Sequence, residues 1–173
     1  MRLADLGQAL TDMAKGRGMN ATPETSAQPE AATSVVIEQS YPHAPAVVWQ
    51  ALTTPELMAR WLMTSQGFAP EVGRRFTMQG RPMEAARFSG VVASTVLEVT
   101  APHRLSLSWD DAHADRPTGW VVTWELRAEG DGTRLLLTHS GFDPDDATQQ
   151  VARRIMSGGW AHILGALGRV LGG

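Results

Sequence analysis

The stretch TGWVVTWELRAEGDGTRLLLTHSGFDPDDATQQVARRIMSGGWAHILGALGRVL, residues 118–171, decides the fold of this chain. In residues 118–126, apolar side chains recur at every second position, which places two tryptophans on one face of a strand. These side chains are Trp120, Val122, Trp124 and Leu126. Residues 129–133 carry the glycines and aspartate of a tight turn, and residues 134–140 alternate again, with Leu135, Leu137 and His139 on one side. The pattern predicts a β-hairpin with one apolar face.

A long helix is predicted to cover that face. Residues 143–146 are typical of a helix start, with Asp143 as the N-cap and Pro144 at the first helical position. Apolar residues then recur at spacings of three and four. They are Met156, Trp160, Ile163, Leu164, Leu167 and Leu171. Gly158 and Gly159 interrupt the stripe at a cost of about 1 kcal/mol each relative to alanine, so we expect a kink or a close approach to the sheet there.

The composition excludes several classes of protein. The 173 residues suit one domain with a sizeable core, and a net charge of −3 with dispersed cations gives no footprint for nucleic acid or an anionic membrane. The absence of cysteine excludes disulfides and zinc sites built on sulfur. No apolar run reaches the roughly 18 to 20 residues of a membrane-spanning helix. We therefore predict a soluble cytoplasmic protein that binds neither nucleic acid nor membranes.

Residues 1–33 differ from the rest of the sequence. Leu3, Leu6, Leu10 and Met13 have helical spacing, whereas residues 16–34 are rich in small and polar residues that bury little surface. We expect a weakly helical or disordered leader over residues 1–33, with Met19 as an alternative start of the chain.

The remaining elements follow from alternation, prolines and turn residues. We predict a strand at 34–41, helices at 45–52 and from Pro55 with Leu57 and Trp61 as anchors, strands at 75–79, 87–99 and 104–109, and loops at 67–74 and 110–117. A change of phase near 93–96 indicates a β-bulge. This order predicts an α+β fold in which a curved antiparallel sheet wraps one long C-terminal helix.

Several short motifs, in this order, resemble the family related to the C-terminal domain of the activator of the 90-kDa heat-shock protein ATPase. They are VWQALTTPEL at 48–57 with RW at 60–61, EVG at 71–73, FSG at 88–90, LSLSW at 105–109, VTWEL at 122–126, GTRL at 132–135, LTHSGF at 137–142 and GW at 159–160. The resemblance covers residues 34–171. It implies the START-like helix-grip fold of the SRPBCC superfamily over 34–173, with two short helices after the first strand and a cavity between sheet and helix.

Candidate cavity residues combine the inward face of the hairpin with neighbouring strands and the helix. They are Phe76, Phe88, Leu107, Trp109, Trp120, Val122, Trp124, Leu137, His139, Trp160 and Leu164. The tryptophans have two interpretations, namely tightly packed core residues and walls of a concave ligand pocket. Trp49 and Trp61 are expected to serve packing.

His139 is the polar member of this set. It is either a titratable functional group or a core histidine bonded to a backbone carbonyl or an indole, and we favour the core interpretation because no carboxylate or nucleophile is placed beside it. Residues 110–115 contain aspartates and a histidine, which are metal-ligand types, but a hairpin tip needs polar residues in any case. We therefore expect a solvated loop without metal.

The sequence contains no phosphate-binding loop, nucleophile elbow or zinc-protease motif, so no cofactor is predicted and a binding protein is favoured over an enzyme. The leading hypothesis is that a small apolar or aromatic molecule binds between the sheet and the C-terminal helix. Two alternatives stay open. The resemblance implies a chaperone partner, with stimulation of the 90-kDa heat-shock protein ATPase, and helix-grip relatives include cavity enzymes of the cyclase and hydrolase types.

Overall fold

The computed structural model of the protein describes residues 27–173. The helical pattern at Leu3–Met13 and the alternative start at Met19 lie outside these residues. The helices are α1 (Ala27–Thr33), α2 (Pro45–Thr53), α3 (Pro55–Trp61) and α4 (Ala147–Leu171), with one 3₁₀ turn at Glu84–Ala86. The strands are β1 (Ser34–Tyr41), β2 (Thr64–Gln66), β3 (Arg75–Gln79), β4 (Val91–Thr100), β5 (Arg104–Ser108), β6 (Asp110–Asp111), β7 (Val121–Glu129) and β8 (Gly132–Ser140).

The strands form one antiparallel sheet in the order β1-β8-β7-β5-β4-β3-β2, and the short β6 pairs with β4. The sheet curves around α4, with α2 and α3 inserted after the first strand. This architecture confirms the predicted α+β helix-grip fold. The predicted bulge in β4 lies at Leu97, between the paired residues Val96 and Glu98.

The β7–β8 hairpin follows the predicted alternation. Trp124 pairs with Leu137, and Glu129 pairs with Gly132 across a two-residue turn. The inward side chains are at most 2 % exposed, and they are Val122, Trp124, Leu126, Leu135, Leu137 and His139. Strand β7 begins at Val121 rather than at 118 because Gly119, with φ +77°, turns the chain just before it.

The predicted start of the long helix is wrong by three residues. Asp146, not Asp143, is the N-cap of α4, and its Oδ1 accepts hydrogen bonds from the backbone N–H groups of Thr148 (2.8 Å) and Gln149 (3.2 Å). Asp143 instead accepts a hydrogen bond from the N–H of Asp145 in the preceding turn. Asp146 therefore caps α4, whereas Asp143 stabilises the turn that precedes the helix.

The apolar face of α4 lies in the concave side of the sheet. Its buried residues are Ala152, Trp160, Leu164 and Leu167. The hydroxyl of Tyr41 donates a hydrogen bond to the Leu164 carbonyl (2.8 Å), which ties β1 to the helix, and burial raises the pKa of this tyrosine. Of the two explanations predicted for Gly158 and Gly159, a kink or a close approach to the sheet, the close approach is wrong, because a Cβ atom at either position would have no neighbour within 4 Å.

Helices α2 and α3 close one end of this core. Trp61 of α3 is buried, and its indole N–H donates to the Ala51 carbonyl of α2 (2.9 Å). The second buried anchor of α3 is Met58, whereas Leu57 is only half-buried. Trp49 is partly buried and packs against the core. Within residues 27–173, none of the helices has the length and apolar character needed to cross a membrane.

Candidate ligand-binding cleft

Residues 80–90, which we call the flap, contact α4 and border the core. Gly80 N–H donates to the Gly90 carbonyl (2.7 Å) at the base of the flap, and Met83 pairs with Phe88 near its tip. Arg87 ends the 3₁₀ turn in the left-handed region, with φ +49°. The predicted strand at 87–99 therefore begins only at Val91, because the four preceding residues return from the flap.

The flap, α4 and residues 109–120 enclose a cleft with two adjoining chambers. Chamber 1 has a volume of about 160 Å³ and chamber 2 of about 140 Å³. The wall that they share consists of Ala86, Phe88, Trp109 and Met156. The two volumes together reach the lower end of the range of roughly 300 to 1,000 Å³ that small-molecule pockets occupy.

The structure divides the predicted cavity residues into three groups. Phe88, Trp109 and Trp120 line chamber 1, while Phe88, Trp109 and Trp160 line chamber 2. A second group lies beneath these walls in the packed core, each member at most 1 % exposed: Leu107, Val122, Trp124, Leu137, His139 and Leu164. The third group is Phe76 alone, a core residue with 5 % exposure that does not line the cleft and packs edge-to-face on Phe68 of the loop before β3, with ring centroids 4.9 Å apart. The cleft is therefore lined by four of the eleven predicted residues and lies beside the flap.

Other lining residues were missed by the sequence reasoning. Chamber 1 includes Thr118, Thr148 and Gln149, and chamber 2 includes Met63 and Met83. Met156 belongs to the predicted apolar stripe of the helix, and this position is the signal that it faces the sheet. The flap residues Met83 and Ala86 carry no such signal, since their positions depend on contacts with a helix about 70 residues away in the chain.

Trp120 forms a fixed wall of chamber 1. Its indole N–H donates to Oε1 of Gln149 (3.0 Å), and the same oxygen accepts a hydrogen bond from the backbone N–H of Asp143 (2.9 Å). Trp120 also contacts Phe142, with ring centroids 4.6 Å apart and ring planes tilted by 45°. The side-chain amide of Gln149 in α4 thus binds both the indole ring of Trp120 and the turn before the helix.

His139 lies one layer behind this wall. Its Nδ1 accepts a hydrogen bond from the indole N–H of Trp160 (3.0 Å), so the second nitrogen, Nε2, carries the proton of the neutral ring. Burial lowers the pKa of His139 to about 3. Trp109, Trp120 and Phe142 surround the ring at centroid distances of 6.0, 5.5 and 4.7 Å. Nε2 has no hydrogen-bond partner among the described residues, and the ring has no exposed surface.

The polar side of chamber 1 is formed by Asp110 and Asp111. Oδ1 of Asp110 accepts hydrogen bonds from the backbone N–H (2.6 Å) and hydroxyl (2.9 Å) of Thr118. Asp111 accepts hydrogen bonds from the backbone N–H groups of Ser89 and His113. Burial raises the pKa of Asp111, but these hydrogen bonds outweigh it and leave the pKa below its ordinary value.

Residues 110–115 are thus partly structured rather than a freely solvated loop. Asp110 and Asp111 form β6 against Val92 and Ala93, and Nδ1 of His113 lies 3.0 Å from the Ser89 hydroxyl. Within residues 27–173, no group of three or more histidine, cysteine, aspartate or glutamate side chains is arranged to hold a metal ion.

Residues 42–172 match the family described as Activator of Hsp90 ATPase homolog 1-like protein. The crystal structure of protein MLL2253 from Mesorhizobium loti is 34 % identical over 80 % of this chain and 96 % of that chain, with a TM-score of 0.68. CalU16 from Micromonospora echinospora is 28 % identical over 80 % of this chain and 75 % of that chain, with a TM-score of 0.63. No curated protein matches the sequence.

A third similar structure is PFC0360w from Plasmodium falciparum, described as an HSP90 activator. It is 23 % identical over 81 % of this chain and 96 % of that chain, with a TM-score of 0.63. At that level of identity the likeness concerns the fold alone.

Proposed function

We propose that this chain, which belongs to the family of Activator of Hsp90 ATPase homolog 1-like proteins, binds a small apolar or aromatic molecule in the cleft beneath the flap. The observation that carries the proposal is the convergence of Phe88 from the flap and of Trp109 and Trp120 from residues 109–120 on one space beside α4. Flat, apolar walls around a preformed space suit a small molecule better than they suit a second protein surface.

The energetic case for binding rests on apolar contact. Each Å² of apolar surface that a ligand removes from water contributes roughly 25 cal/mol. Trp120 needs no reorganisation to receive a ligand, because Gln149 already holds its ring. Met63, Met83 and Met156 supply flexible, polarisable surface that adapts to the outline of a ligand.

The same geometry favours binding over catalysis. A general acid or base must reach the reacting atoms and have a pKa near the working pH. His139 satisfies neither condition, since it has no exposed surface and burial lowers its pKa to about 3. The cleft is therefore proposed as a binding site, and the alternative of a cavity enzyme that uses His139 gains no support from this arrangement.

Filling the cleft with a side chain tests the proposal. Ala86 belongs to the wall shared by both chambers, whereas its neighbour Ala85 is exposed and lines neither. In a tryptophan-fluorescence titration with aromatic and aliphatic probes, we expect Ala86→Phe to weaken binding at least about tenfold, because the ring occupies the ligand's space. Ala85→Phe is the matched control and should bind like the unmodified protein. Equal affinity of both variants would place any binding site outside the cleft.

The family description also supplies a second candidate function, the stimulation of an Hsp90 ATPase. The match over residues 42–172 is the observation that favours it. Purified protein should then raise the ATPase rate of the 90-kDa chaperone in a concentration-dependent manner. Because this function needs a protein surface, Ala86→Phe should leave the stimulation intact, which separates the two candidates. An unchanged ATPase rate at saturating protein would remove the second one.

A further inference from the structure

We propose that chamber 1 binds an organic ammonium group carried by a molecule whose apolar body occupies chamber 2. The inference rests on the proposed function, since it names the polar group of the same ligand. It follows from three features of the cleft, namely the aromatic faces of chamber 1, the carboxylates beside them, and the contrast with chamber 2.

Aromatic rings form much of chamber 1. Phe88, Trp109 and Trp120 contribute to it, and the face of an aromatic ring attracts a cation within about 6 Å. Trp120 uses its one hydrogen-bond donor on Gln149, so it offers a ligand its π-surface rather than its N–H. An ammonium group gains from such surfaces, whereas a carboxylate is repelled by them.

Two carboxylates stand next to these rings. Asp111 is held in the ionised form by hydrogen bonds from Ser89 and His113, which lower its pKa although burial opposes them. Asp110 uses Oδ1 for its two contacts with Thr118, and Oδ2 makes no hydrogen bond with any described residue. Asp110 therefore has a charged oxygen available for a ligand cation.

Arg87 is the single cationic side chain among the described residues that line chamber 1. It is exposed to solvent and forms no ion pair with the described part of the chain. With two carboxylates and one solvated guanidinium, the side chains that line chamber 1 carry a net negative charge. An anionic ligand would find one partner in Arg87 and two like charges in the aspartates.

Chamber 2 lacks this polarity. Its lining side chains are all apolar within the described residues, and three of them are the methionines Met63, Met83 and Met156. A molecule that spans both chambers is therefore expected to place its charged group near Asp110 and its apolar body beneath the flap. This orientation distinguishes the ligand from a purely apolar compound.

Three probes with one apolar body test the inference by isothermal titration calorimetry. They are 3-phenylpropyltrimethylammonium, 3-phenylpropan-1-ol and 4-phenylbutanoate, which place a cation, a neutral hydroxyl and an anion on the same phenylpropyl group. We expect the ammonium compound to bind about tenfold more tightly than the alcohol, the carboxylate to bind most weakly, and added salt to weaken only the ammonium complex.

Asp110→Asn removes the charge while its amide oxygen still accepts the hydrogen bonds of Thr118. We expect this variant to bind the ammonium probe about five- to tenfold more weakly and the alcohol within about twofold of the unmodified protein. Asp131→Asn, in the exposed turn between β7 and β8, is the matched control and should change neither affinity.

The outcomes separate this inference from the proposal on which it rests. If the alcohol or the carboxylate binds as tightly as the ammonium compound, the preference for a cation is overturned and the cleft proposal stands. If Asp110→Asn leaves the ammonium affinity unchanged, the assignment to the carboxylate is overturned. If none of the three probes binds, the cleft proposal itself fails.

Discussion

Trp160 donates its indole N–H to Nδ1 of His139 across a buried distance of 3.0 Å, and this bond joins the middle of α4 to the central hairpin. Each partner satisfies a polar atom of the other in a space that excludes water. Trp160 also lines chamber 2, so the bond that fixes the interior fixes one wall of the cleft. The stability of the core and the shape of the site are therefore coupled through this pair.

Removing the histidine should leave a donor without a partner. In His139→Leu, the indole N–H of Trp160 keeps its burial and loses its acceptor, while the unpaired Nε2–H of the histidine is removed, so we expect the free energy of unfolding to fall by about 1 kcal/mol. Trp160→Phe is destabilising in its own right because it leaves a cavity. The loss of unfolding free energy in the double variant should be about 1 kcal/mol smaller than the sum of the losses in the two single variants. The reason is that the double variant contains neither the indole N–H nor the histidine nitrogen that a single substitution leaves unpaired. Denaturant unfolding of the four proteins measures this difference, and strict additivity would mean that the bond contributes nothing.

The lowered pKa of His139 predicts that acid destabilises the protein. Burial takes this pKa from 6.5 to about 3, so between these values the unfolded chain binds a proton that the folded chain does not. The free energy of unfolding has its full value above the unfolded pKa and falls as the pH drops toward 3, by about 1.4 kcal/mol per pH unit within that window. Carboxylates also titrate there, so the comparison is with His139→Leu, whose unfolding should lose this part of the pH dependence. Parallel pH profiles of the two proteins would contradict the assignment.

The sequence predicts the hairpin well because period-two alternation is a local signal. Trp120, Val122, Trp124 and Leu126 do share one face, but alternation gives the face of a side chain and not its depth. Trp124 is 1 % exposed and packs edge-to-face on Trp160, whereas Trp120 borders open space. That difference depends on where α4 crosses the sheet, which no local pattern records.

The flap and the start of α4 likewise depend on contacts that no local sequence pattern records. Residues 80–90 are held by a hydrogen bond between two glycines and by contacts with α4, and neither leaves a periodic trace in the sequence. At the helix start, three aspartates are equally good capping residues. Asp146 is the N-cap in a structure in which the side chain of Gln149 also accepts a hydrogen bond from the backbone N–H of Asp143. This hydrogen bond forms only when the chain has already turned.

The corrected helix start makes a prediction of its own. Asp146→Ala removes the acceptor for the N–H groups of Thr148 and Gln149 and should lower the free energy of unfolding by about 1 kcal/mol. Asp143→Ala removes one hydrogen bond in an exposed turn and should cost less. Thermal unfolding of both variants gives the order, and a larger loss for Asp143→Ala would restore the assignment made from sequence alone.

Substitutions at Gly158 and Gly159 test the stability of α4 independently of the shape of the cleft. Both residues are exposed within a continuous helix, and a Cβ atom at either one meets nothing within 4 Å. Replacing either glycine with alanine should therefore raise the free energy of unfolding by about 0.5–1 kcal/mol, since the unfolded chain loses freedom and no atom is displaced.

The two positions differ in their relation to chamber 2, because Gly159 lines it and Gly158 does not. A larger side chain at 159 projects into space that a ligand would fill, so Gly159→Leu should weaken the binding of phenylpropyl compounds about tenfold while the helix stays intact. Gly158→Leu is the matched control, and it should unfold at a similar denaturant concentration and keep its affinity. If both leucine variants bind equally well, chamber 2 holds no part of the ligand, and the apolar body must lie elsewhere along the cleft.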